Sequence, residues 1–235
     1  MLRKDLILKN PAVQIMGKEN LHQGKFGAVL SRAGVGKTQF LVQIAIYRLL
    51  NDEKILHVSL NDHMDKINLR YKEGYFSLID SVGYIDPQKA LRLWEDIDLA
   101  KTGMSYNETT FTPEKINEYL KSLKKENLQI PAMIVIDGLN FDRDQSAPLD
   151  EINAISEKYA VSVWFSMQTH REESLCPDGF PLQLEKLKNK FDKALFLKPR
   201  KDKIQVVILK DGDRASEKFL IDPATMMADQ PDYSS

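Results

Sequence analysis

A chain of 235 residues, 43 % hydrophobic and 29 % charged, is long enough to bury a full α/β core and has the composition of a globular protein. Its net charge of -1 lacks the basic excess of a dedicated nucleic-acid binder. One cysteine, Cys176, excludes an internal disulfide framework and a cysteine-based metal site, and no apolar stretch approaches membrane-spanning length.

The amino-terminal lead-in, residues 1–23, opens without the apolar core of a secretory leader, so a cytoplasmic location is expected. Phe26 to Ser31 reads as the first strand and Thr38 to Leu50 as a helix, apolar nearly all round apart from a thin stripe at Gln39 and Gln43. Lys54 to Leu60 is a second strand, and Met64 to Glu73 a helix. Gly74 to Thr112 reads as an insert without a clear assignment: Leu91 to Glu95 fits helix or strand, and Met104 to Thr112 fits a loop. Thr112 as N-cap and Pro113 at the first helical position start a helix to about Glu126, its lysines Lys121, Lys124 and Lys125 near the carboxyl end. Ala132 to Asp137 and Val161 to Met167 are unbroken apolar runs typical of buried parallel strands, with a helix from Pro148 to Ala160 between them. A polar loop, Gln168 to Pro181, leads to a short basic helix, Leu182 to Lys190. Ala194 to Lys198, Ile204 to Lys210 and Lys218 to Ile221 close the chain as strands joined by tight turns, hence antiparallel. Residues 226–235 are expected to form a flexible tail, and the absence of a Gly/Ser/Pro-rich linker favours one domain. The alternation of strands and helices predicts a mainly parallel α/β sheet with helices on both faces.

Between the first strand and the first long helix lies Ser31-Arg32-Ala33-Gly34-Val35-Gly36-Lys37-Thr38, in the strand–loop–helix setting of a phosphate-binding P-loop. Small residues let successive backbone N–H groups turn toward phosphate oxygens, and the helix start adds more. Ser31 stands where such a loop usually opens with glycine. Residues 31–39, from Ser31 to Gln39, are therefore the candidate ATP-binding segment. Within it Lys37 can reach the β- and γ-phosphates, and the Thr38 hydroxyl can ligate Mg²⁺. Ligands of open α/β sheets sit beyond the carboxyl ends of the strands. There Asp137 is placed to hold the Mg²⁺ shell, although a strand-ending Asp also caps turns. Gln168 is placed to report the γ-phosphate to the loop beyond it, with His170 and Arg171 following. Hydrolysis needs a carboxylate that orients or activates water. Asp62 is the acid at the end of the second strand; Asn61 beside it could hold a water but is a poor base, and His63 could assist.

These motifs, with Ile208-Leu209-Lys210-Asp211-Gly212 and Leu220 to Thr225 near the carboxyl end, resemble the RecA-like P-loop ATPases, in the branch of DnaB-type replicative helicases and KaiC-like ATPases. The resemblance spans about Gly24 to Ala224. It implies a twisted, mainly parallel sheet with antiparallel carboxyl-terminal strands, ATP and Mg²⁺ as ligands, and a homo-oligomer, often a ring, with nucleotide between subunits. It also implies a basic finger reaching a neighbour's nucleotide. Lys210 matches its lysine, Gly212 replaces its arginine, and Arg214 is the nearest substitute. The family's catalytic glutamate falls at the Asn61-Asp62 pair, where the first residue is Asn. With both features altered, the expectation is a slow Mg²⁺-dependent ATPase. The alternative is a non-hydrolysing ATP switch read by a protein partner. A nucleic-acid motor or recombinase is disfavoured by the net charge, and a nucleotide kinase by the absence of an arginine-rich lid.

Overall fold

The computed structural model describes residues 2–16, 24–83, 85–170, 174–211 and 214–228. Its strands are β1 (Phe26–Ser31), β2 (Ile55–Ser59), β3 (Lys101–Ser105), β4 (Met133–Asp137), β5 (Ser162–Gln168), β6 (Lys193–Arg200), β7 (Lys203–Lys210) and β8 (Lys218–Ile221). They form one sheet in the order β3-β2-β4-β5-β1-β6-β7-β8. β1, β2 and β4 are buried at every position, as their apolar runs require of strands covered on both faces. Pairing is parallel from β3 through β6 and antiparallel through β6, β7 and β8.

The helices are α1 (Leu2–Lys9), α2 (Ala12–Met16), α3 (Lys37–Leu50), α4 (Met64–Ser81), α5 (Pro87–Leu99), α6 (Pro113–Lys125) and α7 (Ser146–Tyr159), with a 3₁₀ segment at Leu182–Lys190. Strand alternation sends Val29, Val135 and Trp164 to one face, against α1 to α5. Ala28, Ile134 and Phe165 go to the other, against α6 and α7. The lead-in thus contributes two helices, and Leu6, Ala12 and Ile15 are buried in the first core.

Three features differ from the sequence-based expectation. α4 runs through Gly74 to Ser81, because that glycine lets α3 and α4 approach closely. A Cβ at Gly74 would lie 3.1 Å from the amide nitrogens of both Gln39 and Gln43. The polar stripe on α3 therefore faces α4, not solvent: Gln39 donates to the Arg70 carbonyl at 3.3 Å and Gln43 to the Gly74 carbonyl at 3.1 Å. Second, the insert holds α5 and, from Lys101 to Ser105, an edge strand paired only with β2. β3 is half exposed and contains Lys, Thr, Gly and Ser, so it has no apolar run to betray it. Third, Thr112 occupies the N-cap of α6 without a capping bond from its hydroxyl. At the carboxyl end, Met226 is buried and Ala228 bridges to Ile221; residues 229–235 of the expected tail lie outside the described residues.

Beneath the carboxyl end of the sheet, His57 on β2 is fully buried and shares a 3.0 Å hydrogen bond between Nδ1 and the Tyr71 hydroxyl. Its Nε2 has no partner among the described atoms. Burial lowers its pKa from 6.5 to about 4, against the attraction of Asp137. The folded chain keeps His57 neutral while the unfolded chain protonates it. Its contribution is therefore complete above pH 6.5 and is lost as pH falls toward 4. The expected loss over that window is about 3 kcal/mol. Denaturant titrations at pH 7 and pH 4.5 check this, and His57→Gln should flatten the dependence.

Candidate functional site

β1 and β4 deliver their last residues to the same edge of the sheet, with β5 between them. Ser31 pairs with Gln168 and Ser59 with Asp137. The loop after β1 curls through Gly34 (φ 77°) and Gly36 (φ 105°), a backbone region that glycine enters without strain. Gly36 is the N-cap of α3 and no side chain caps that end, which leaves the first N–H groups of the helix for a ligand. A Cβ on Gly36 would also collide with Met226 at 2.2 Å, so the carboxyl-terminal segment closes over the loop.

A cavity of about 400 Å³ opens here, lined among others by Ala33, Gly34, Lys37, Thr38, Asn61, Asp62, Asp137 and Gln168. The Lys37 ammonium donates to the carbonyls of Ser31 at 3.2 Å and Arg32 at 3.1 Å. Burial pushes its pKa down, while Asp137 pulls the other way. The Thr38 hydroxyl donates to Asp137 Oδ2 at 2.9 Å. A hydroxyl and a carboxylate side by side are hard oxygen donors of the kind Mg²⁺ takes, beside a cation and free helix N–H groups that suit a polyphosphate.

The remaining candidates are placed less uniformly. Ser31 is fully buried and its hydroxyl donates to the Arg32 carbonyl. Arg32 lines an adjoining cavity with His170, Lys198 and Arg200. Val35 packs against the core, and Gln39 faces α4, so neither side chain lines the phosphate cavity. Asn61 sits over Gly138: its Nδ2 would lie 2.4 Å from a Cβ placed there. Asp62 is held by Lys66 at 2.7 Å and Arg70 at 3.0 Å. These two cations outweigh its partial burial and hold its carboxyl below the usual range, which makes it a weak base. The pairing had a visible signal, since Lys66 and Arg70 follow Asp62 at four-residue intervals. His63 points to Asp65, and both are exposed. His170 meets Asp142 at 2.7 Å. Lys210 donates to the Lys188 carbonyl at 3.0 Å. Arg214 donates to the Ile15 carbonyl and pairs with Glu217 at 2.8 Å. Arg171 and Gly212 lie outside the described residues.

Sequence reading missed Glu108, which lines the cavity from the loop after β3. Its partner is Arg143 at 3.8 Å. A lone acid in a polar loop after an unrecognised strand carries no signal of its own.

No protein-family model matches this chain, and neither does any curated protein. Among solved structures, the ATPase domain of a DnaB-like helicase superposes with a TM-score of 0.61 at 17 % identity, covering 89 % of this chain and 86 % of that one. This chain has a RecA-like ATPase fold. The central parallel strands, the three antiparallel strands at the carboxyl end and the helices around them are the architecture expected from the motifs. No helix among the described residues is long and apolar enough to cross a membrane.

Proposed function

We propose that this RecA-like chain binds ATP with Mg²⁺ and hydrolyses it slowly. The observation that carries the reading is the convergence of Lys37, Thr38 and Asp137 in one cavity at the start of α3. Lys37 and the N–H groups of the loop and helix hold the β- and γ-phosphates. Thr38 and Asp137 hold Mg²⁺, which when bound screens the phosphate charge. Gln168, at the end of β5 and in register with Ser31, feels the γ-phosphate. Asn61 positions a water. Catalysis of this kind rests on positioning and electrostatics rather than on covalent chemistry. Turnover is slow because Asn61 is no base and Asp62 is neutralised by Lys66 and Arg70.

We also propose a homo-oligomer, in which Lys210 or Arg214 reaches a neighbour's nucleotide after leaving its carbonyl partner in its own chain. The ion pairs on Asp62 favour a second reading, a non-hydrolysing switch whose ATP-bound form a protein partner recognises. Purified chain with ATP is expected to release phosphate slowly with Mg²⁺ and to stop when the metal is chelated. ATP binding without phosphate release would favour the switch. Failure to bind ATP would overturn both.

A further inference from the structure

Four carboxylates line the phosphate cavity among the described residues: Asp62, Glu108, Asp137 and Asp142. Three have short, direct partners. Asp62 is clamped by Lys66 and Arg70, Asp137 accepts from Thr38, and Asp142 meets His170. Glu108 has only the looser contact to Arg143 at 3.8 Å, and both side chains are well exposed. A pair of that length and exposure holds a carboxylate weakly.

The backbone that carries Glu108 is, by contrast, tied down on both sides. Upstream, the Tyr106 N–H donates to the Ser59 carbonyl at 2.9 Å and the Ser105 hydroxyl to the Asp62 carbonyl at 3.1 Å. These bonds fasten the end of β3 to the turn that bears Asn61 and Asp62. Downstream, Asn107 Oδ1 accepts from the Thr109 and Thr110 N–H groups at 3.1 and 2.9 Å. Glu108 is thus presented at a fixed point of the cavity wall, on the side of Asn61.

We infer that Glu108 is the catalytic base of ATP hydrolysis, taking from the β3 loop the role for which the end of β2 offers only Asn61 and a neutralised Asp62. The inference rests on the hydrolytic reading of the site. As the water oxygen bonds to the γ-phosphorus, the bond from that phosphorus to the β–γ bridging oxygen breaks. Its electron pair leaves with ADP. A Glu108 oxygen accepts the proton from the water and returns it to solvent after phosphate departs. Asn61 and Glu108 then divide the work: an amide that orients the water and a carboxylate that deprotonates it.

The test uses the full chain with Mg²⁺ and ATP, reading kcat, ATP affinity and the identity of the retained nucleotide. Glu108→Gln is expected to lower kcat by about 10²-fold while keeping ATP affinity, so that the protein retains ATP rather than ADP. Asp62→Asn should lose less than Glu108→Gln does. In Glu108→Ala, added formate should restore part of the rate, which a purely structural loss would not allow. Arg143→Ala, which removes only the ion-pair partner, should stay within about threefold of wild type. A Glu108→Gln rate within about threefold of wild type, or a larger loss in Asp62→Asn, overturns the assignment and leaves hydrolysis standing. Wild-type chain that binds ATP without releasing phosphate overturns the hydrolytic reading and Glu108 with it.

Discussion

Lys37→Ala is expected to bind ATP at least about 10²-fold more weakly than wild type and to hydrolyse it about 10³-fold more slowly, with its melting temperature unchanged. The ammonium is half-buried, and its hydrogen bonds go to two loop carbonyls, those of Ser31 and Arg32. A triphosphate would offer that ammonium full negative charges in a cavity where burial already disfavours the isolated cation. Truncating it therefore removes a strong, desolvated charge pair from the complex. The fold loses little, because water can replace the ammonium at the carbonyls. Titration of a fluorescent ATP analogue, alongside thermal melting, separates the two effects. Wild-type affinity in this variant would place the triphosphate elsewhere. Lower affinity accompanied by a large drop in melting temperature would point to a structural lysine.

Trp164→Ala is expected to destabilise the chain by about 3–5 kcal/mol, lowering the melting temperature by about 10 °C or more. Trp164 is fully buried at the middle of β5. Its ring lies across β1, where a Cβ on Gly27 would be 2.5 Å from Trp164 Cδ2. Glycine and tryptophan thus fit as a pair, and no side chain on β1 at Gly27 can fill the space that alanine leaves. The indole N–H has no partner among the described atoms, so it adds bulk but no hydrogen bond. Trp164→Phe keeps most of the ring and discards that unsatisfied donor, and is expected to lose only about 1–2 kcal/mol. Denaturant melts of the two variants should therefore separate clearly. Equal losses would show that the indole nitrogen matters more than the ring.

Both residues are legible in the sequence. Lys37 stands in a spaced motif, and Trp164 lies in an unbroken apolar run whose neighbours fix it as a buried strand. The signals that failed were those that depend on neighbours distant in the chain. β3 is polar because it has one partner and a solvent-facing side, so nothing in Lys101-Thr102-Gly103-Met104-Ser105 separates it from a loop. Gly74 looks like a helix terminator until α3 is packed against it. The amino-terminal helices are stabilised by burial of Leu6, Ala12 and Ile15 against α3, not by local pattern. At the site, the residues in the phosphate motif were legible one by one, whereas Glu108 becomes a candidate only once β3 pairs with β2. The side chains of Val35 and Gln39 belong to the motif by position but turn into the protein, since that loop meets its ligand chiefly through backbone.

The placement of β1 also governs when the site can exist. β1 is the earliest strand in the chain and lies between β5 and β6, which come near its end. The Phe26 N–H donates to Asp192, 166 residues later. Contacts of such long range form slowly, because a large loop must close before any of them stabilises the structure. During synthesis the phosphate loop therefore leaves the ribosome long before the strands that flank it. A nascent chain cannot hold ATP in this cavity until β5 and β6 have emerged, so the nucleotide can stabilise the finished sheet but cannot template its early folding.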